Sequence, residues 1–267
     1  MLKTLFLSVS VLCSTVETSV GQTVFAVLVG DTNDGQLGPG VQANIARIKG
    51  FLGQIKTEAG INVVIEPDVK GDDFGCAKIR QAVSSVPWTA ADVVLFWYSG
   101  HGDRSHSDTK IFPVLNCLRH HEDTETETDD IVSQVVNPGP ARKPPRLFIT
   151  VVDACNKSFG EAPAIVANEP LVEGRKDAFH KLFLNYTGTI VSSSSVQNQY
   201  SYYYGDDSGG YFTKQLLQTI NDISIAKGKD VTWDEILTAA TRQITLPDST
   251  QGSQQPQFRE IFLQEIR

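Results

Sequence analysis

Two side chains in this sequence are suited to covalent chemistry on a carbonyl. Cys155 follows the apolar run Leu147 to Val152 and closes the segment Val152-Asp153-Ala154-Cys155. His101 follows the apolar run Asp92 to Tyr98 and lies in Tyr98-Ser99-Gly100-His101-Gly102. A thiol attacks a carbonyl efficiently as the thiolate, and an adjacent imidazole can take its proton or hold the charge. The two are 54 residues apart in the chain. They can still meet if the two runs are neighbouring parallel strands with aligned ends. The glycines flanking His101 allow close backbone approach to a bound molecule. A serine-based alternative is disfavoured, because no Gly-x-Ser-x-Gly turn is present.

The elements that must position this pair are legible as a series of apolar runs separated mostly by helical patterns. Strands are expected at Val24–Gly30, Ile61–Ile65, Asp92–Tyr98, Leu147–Val152, Thr189–Ser193 and Phe258–Leu263. Val41, Ile45, Ile48, Leu52 and Ile55 recur at helical spacing, and Cys76 to Val83 reads as a short helix. Phe212, Leu216, Ile220 and Ile223 mark a further helix. Trp233, Ile236, Leu237, Ala240 and Ile244 mark another, opened by a capping box at Thr232 and Glu235. Continuous apolar strands alternating with helices predict a mostly parallel six-stranded sheet covered on both faces. Such sheets bind ligands at the carboxyl ends of their strands, where His101 and Cys155 lie. The acidic run from Glu122 and the Pro-rich segment Asn137 to Pro145 read as one long loop. Phe159 to Arg175 and Gln197 to Gly210 read as irregular.

Strand-end His-Gly and Asp-Ala-Cys elements in this order, with Gly209-Gly210-Tyr211-Phe212 opening a helix downstream, resemble the caspase and metacaspase family. That family carries a His about 50 residues before its Cys. The resemblance spans residues 23 to about 225. It implies a caspase-like three-layer α/β/α sandwich and a cysteine endopeptidase acting on protein or peptide substrates. It assigns Cys155 and His101 as the catalytic dyad and the amides of Gly102 and Cys155 as the oxyanion hole. Asp153 stands where metacaspases carry an Asp on the floor of the primary specificity pocket, and Ser99 resembles a second residue of that pocket. A carboxylate there implies cleavage after Arg or Lys. The chain departs from the metacaspase pattern at Asn44 and at Gln197-Asn198-Gln199, where acidic residues are usual. Family members are often processed between the Cys segment and the next helix, which makes Arg175 and Lys176 candidate self-cleavage points. The alternative function is a non-catalytic scaffold of the same fold that binds a protein partner. Tyr200, Tyr202, Tyr203 and Tyr204 either wall the outer substrate pockets or form an edge strand with half its rings buried.

Composition narrows the remaining classes. The 267 residues are 40% hydrophobic and 20% charged, with a net charge of -8. Most of that charge sits in one segment, Glu122, Asp123, Glu125, Glu127, Asp129 and Asp130. The basic stripe of a nucleic-acid binder is absent. The acidic segment reads as a solvated loop. Calcium is the one cofactor that its carboxylates and the family resemblance raise, although EF-hand spacing is absent; no other cofactor or metal is expected. Residues 1–21, with Lys3 and the apolar stretch Leu5 to Val16, read as a signal peptide cut before Gln22. The alternative is an uncleaved N-terminal extension of a cytoplasmic protein. The apolar stretch is too short to span a membrane. The expected mature chain is a single domain, residues 22–267, secreted or periplasmic. Removal of Cys13 with that leader would leave three cysteines. Cys76 and Cys117 then either pair or remain buried thiols, with Cys155 free.

Overall fold

The structure is a computed structural model that describes residues 22–105, 107, 109–117, 125–155, 175–204, 208–246 and 252–266. The leader expected at residues 1–21 lies outside the described residues, as do 159–174 of the irregular stretch after the Cys segment.

Strand β1 (Thr23–Gly30) is buried along its whole length. It pairs in parallel with β2 (Asn62–Ile65) and with the two-residue β3 (Val69–Lys70) on one side. On its other side lies β4 (Val93–Ser99). A small antiparallel sheet follows, built from β5 (Gly102–Asp103), β6 (Val114–Asn116) and β7 (Glu125–Glu127). β8 (Leu147–Asp153) pairs in parallel with β4 and with β9 (Tyr186–Ser193). A short hairpin joins β10 (Ile244–Thr245) to β11 (Ser253–Gln254). The last strand, β12 (Gln257–Glu265), runs antiparallel to β9 at the sheet edge. The main sheet has the order β12-β9-β8-β4-β1-β2, with β3 beside β1 as a seventh short strand.

Helix α1 (Gly38–Ala59) buries Val41, Ile45, Ile48, Leu52 and Ile55, the positions its spacing predicts, and ends at Gly60 with φ +68°. With α4 (Lys176–Leu184), α5 (Tyr211–Lys227) and α6 (Trp233–Ala240) it covers one sheet face. Helices α2 (Cys76–Ser85) and α3 (Thr128–Val136) cover the other. The strands feed both layers by alternation. In β4, Val93, Leu95 and Trp97 enter the first core, whereas Val94, Phe96 and Tyr98 enter the second. Each such large side chain contributes roughly 1.5–3 kcal/mol by leaving water. Continuous apolar strands follow from having helices on both faces. The result is the expected α/β/α sandwich, and no helix among the described residues is long and apolar enough to cross a membrane.

Three local expectations need correction. The acidic run and the Pro-rich segment are not one loop, because β7 and α3 form within them. Asp129 and Asp130 lie in the first turn of α3, where carboxylates suit the positive end of the helix. Ile131, Val132 and Val135 turn inward, and Arg259 of β12 holds Asp129 at 2.9 Å. Helix α4 begins at the end of the stretch read as irregular and buries Ala178, Phe179, Leu182 and Phe183. Helix α6 stops at Ala240, and Ile244 belongs to β10. Its cap forms as expected at Thr232, whose hydroxyl accepts the Glu235 amide at 3.2 Å.

Cys76 and Cys117 form a disulfide with a Cα–Cα distance of 5.5 Å. It ties the start of α2 to the segment after β6. Cys155 is the free cysteine among the described residues.

Candidate functional site

The sheet register brings His101 and Cys155 to adjacent strand ends. Ser99, the last residue of β4, is level with Asp153, the last of β8, and the Gly100 amide donates to the Asp153 carbonyl at 3.2 Å. His101 and Cys155 each lie two residues beyond that pair. The His101 carbonyl is held by the Tyr98 hydroxyl at 2.6 Å and the Asn116 amide at 3.1 Å. On the other strand, the Ser194 hydroxyl accepts the Ala154 amide and donates to the Ala154 carbonyl. Gly102 packs directly behind Cys155. A Cβ at that position would stand 2.5 Å from the Cys155 carbonyl oxygen and 2.7 Å from the Ala154 Cβ.

The thiol of Cys155 is partly buried and engaged by backbone. The Ser201 amide donates to its sulfur at 3.4 Å, and the sulfur donates to the Ser201 carbonyl at 3.6 Å. These two groups are its hydrogen-bond partners among the described residues. Burial pushes the thiol above its ordinary pKa. The Ser201 amide counters this, whereas the Asp153 and Asp103 carboxylates add to it. His101 Nε2 instead faces Asp34 Oδ2 at 3.1 Å. Asp34 lies in the turn after β1, and its Oδ1 accepts the amides of Gln36 at 2.8 Å and Leu37 at 2.7 Å. Burial alone would raise the Asp34 pKa. The two amides and His101 outweigh it and hold the carboxyl below its usual range.

Ser99 and Asp153 come together as expected, within a fully buried polar cluster. Asp153 Oδ2 accepts the Thr213 hydroxyl at 2.6 Å, the Thr213 amide at 3.3 Å and the Asn44 Nδ2 at 3.2 Å. Its Oδ1 accepts the Ser201 hydroxyl at 2.8 Å. Burial raises this carboxyl's pKa, and the four donors offset part of the rise. Asn44 also donates to Ser99 Oγ at 2.8 Å and accepts the Gly210 amide at 2.9 Å. Gly210 lies so close that a Cβ there would stand 2.0 Å from Asp153 Oδ2. Tyr203 completes the closure. Its hydroxyl bonds Ser99 Oγ at 2.9 Å and the Asp153 carbonyl at 3.2 Å, and its ring presses on Gly40 at the start of α1.

The four tyrosines therefore divide. Tyr202 and Tyr203 are buried, Tyr200 meets Tyr202 edge-on, and Tyr204 stacks on Tyr211 with centroids 3.8 Å apart. Asn198 takes a left-handed backbone, φ +65°, and accepts Arg104 at 2.8 Å. Asp34, Ser201 and Thr213 are site residues that the sequence reading missed, and Asn44 figured there only as a departure. Thr213 had a signal in the Gly-Gly-Tyr-Phe helix start. Asp34 had a weaker one in its Asp-Gly turn.

Arg175 and Lys176 are not presented as an exposed, extended cleavage segment. Arg175 is only 3% exposed. Its guanidinium pairs with both carboxylate oxygens of Glu58, bonds Asn221 and lies over the Phe179 ring. Lys176 is the first residue of α4, so its backbone is already helical. A buried, paired guanidinium cannot enter a protease pocket without first leaving its partners. The acidic residues are likewise engaged: Glu127 accepts Ser105 at 2.9 Å, and Asp129 pairs with Arg259. Among the described residues, no group of three or more His, Cys, Asp or Glu side chains is arranged to hold a metal ion.

An α/β/α sandwich with a Cys and a His at adjacent strand ends defines the class. The family model of the caspase domain matches residues 26–265, and the chain belongs to that family. Among solved structures it is similar to the crystal structure of caspase-1 from Spodoptera frugiperda. The TM-score is 0.53 at 13% identity, over 90% of this chain and 86% of that one. Comparison with curated protein sequences gives no match.

Proposed function

We propose that this protein is a cysteine endopeptidase with Cys155 as nucleophile and His101 as general base, cleaving after Arg or Lys. The observation that carries the reading is the β4–β8 register, with Gly102 seated against the Cys155 backbone. In the proposed reaction, His101 takes the thiol proton and the sulfur adds to the peptide carbonyl. The amides of Gly102 and Cys155 donate to the oxyanion. The C–N bond then breaks as His101 returns its proton to the leaving amine, and water hydrolyses the thioester. Asp153 supports the preference for a basic residue, because it is a carboxylate two residues before Cys155 on the same strand end. Gly210 and Tyr203 must move before a side chain can reach it. The Cys76–Cys117 disulfide supports export to an oxidising compartment, as the leader reading implies.

A second reading, a non-catalytic scaffold that binds a protein partner, is favoured by the closed pocket and by the thiol held in backbone hydrogen bonds. One experiment separates the two. Matched fluorogenic peptides with Arg, Lys, Asp or Asn before the scissile bond are offered to wild type and to Cys155→Ala. Turnover of the Arg and Lys peptides by wild type alone supports the proposal. Equal or better cleavage after Asp would overturn the specificity, and no turnover of any peptide would favour the scaffold.

A further inference from the structure

The geometry assigns to Asp34 the role of positioning residue for His101, an inference that rests on the cysteine-peptidase reading above. Asp34 belongs to the turn Asp31-Thr32-Asn33-Asp34, between β1 and α1. That turn is braced by its own backbone. The Thr32 amide donates to the Gly30 carbonyl, and the Gly38 amide to the Asp34 carbonyl at 3.0 Å. Gly38 is required there, since a Cβ would lie 2.6 Å from the Thr32 oxygen. With Oδ1 occupied by the Gln36 and Leu37 amides, the carboxylate cannot rotate freely, and Oδ2 is aimed at Nε2 of His101.

A carboxylate only accepts hydrogen bonds. The 3.1 Å contact therefore selects the tautomer with the proton on Nε2. The lone pair of the neutral ring is then on Nδ1, the nitrogen that takes the thiol proton on the peptidase reading. Once that proton has moved, the imidazolium carries a positive charge beside an anchored anion. This matters because the charges acting on the thiol oppose its ionisation. Asp103 of β5 and Asp153 of β8 both push the thiol pKa up. On the peptidase reading the imidazolium offsets them, and Asp34 at 3.1 Å stabilises it. The two backbone amides and His101 hold the Asp34 carboxyl below its usual range, so it stands as a carboxylate at neutral pH.

The decisive variant is Asp34→Asn. Its amide oxygen must still accept the two backbone amides, so its NH2 group faces His101. It then donates to Nε2 and forces the proton onto Nδ1, the wrong nitrogen. Turnover of the Arg or Lys peptides should fall about 10²–10⁴-fold in kcat, with little change in KM. Independently of turnover, alkylation of Cys155 by iodoacetamide is followed against pH. The rise in rate should move to higher pH by about one unit or more in Asp34→Asn. In a His101→Ala background, Asp34→Asn should change the alkylation profile no further, because its effect passes through the ring. Superimposable alkylation profiles for wild type and Asp34→Asn would overturn the assignment. So would an equal effect with and without His101, which marks a structural role. A shift between the wild-type and Asp34→Asn profiles, in a protein that cleaves no peptide, would leave the Asp34–His101 link standing and sink the peptidase reading alone.

Discussion

Gly102→Ala tests whether the close packing behind Cys155 matters to the proposed chemistry. The substitution keeps the backbone amide, so any loss of activity comes from displacement alone. The added Cβ would meet the Cys155 carbonyl oxygen at 2.5 Å and the Ala154 Cβ at 2.7 Å, with the Val114 carbonyl oxygen at 3.1 Å on a third side. An ordinary contact begins at 3.4 Å, so the strand end must retreat by about 0.9 Å. The retreat cannot be taken up by a flexible side chain, because two of the three neighbours are backbone atoms. A misplacement of about 1 Å costs on the order of 10²-fold in rate. Overpacking of this kind also costs about 1–3 kcal/mol of stability. The assay is kcat/KM on the best basic peptide beside urea unfolding of the same preparation. The expected result is a loss near 100-fold with the fold retained. A variant within threefold of wild type would refute the argument that Gly102 sets the position of Cys155.

Further outcomes follow from the same structure. Tyr203→Phe removes the bonds to Ser99 and to the Asp153 carbonyl, while Asn44 and the Gly100 amide continue to satisfy those groups. The closed pocket should weaken by about 1–2 kcal/mol, raising turnover of basic peptides roughly 5–30-fold; lower turnover at unchanged stability would contradict a closing role. Replacing both Cys76 and Cys117 by Ala frees a loop spanning 41 residues. The loss in urea unfolding should be about 4 kcal/mol, matched by reducing the wild type; an unmoved midpoint would reject it. Asp68 lies at 2.5 Å from Lys49 and 2.8 Å from Lys70, which outweigh its burial and lower its pKa from 3.8. Its stabilisation is therefore full above that value and lost as pH falls through the lower folded pKa. Asp68→Asn should flatten the acid-unfolding profile in that window, and a profile parallel to wild type would argue against the pair. Intact-mass measurement of active enzyme should show no product beginning at Lys176, because Arg175 is buried against Glu58.

Much of the framework was legible in the order of residues. Uninterrupted apolar runs such as Val24 to Gly30 and Leu147 to Val152 announce strands buried on both faces. The three- and four-residue spacing from Val41 to Ile55 announces α1 and its buried stripe. His101 and Cys155 were visible because each ends such a run, and chain order alone carries that information. Helix α3 was hidden because its first turn is acidic and only Ile131, Val132 and Val135 face inward. Helix α4 adjoins a stretch without local pattern, and its apolar residues find their purpose only against α1 and the sheet.

The polar partners were decided by tertiary structure. Asn44 reads as a neutral substitution in sequence, yet in the fold it bridges Ser99, Asp153 and Gly210. Arg175 reads as an exposed basic residue, yet it is buried against Glu58 from a helix 117 positions earlier. Asp34 meets His101 across 67 positions. The physical reason is that alternation and helical period are properties of neighbouring side chains, set by backbone geometry. A buried carboxylate, guanidinium or imidazole must find a partner wherever the packed chain supplies one. Residue order alone announces His101, Cys155 and the strands that end beside them; which groups hold, orient and cover these two follows only from the packing of distant segments.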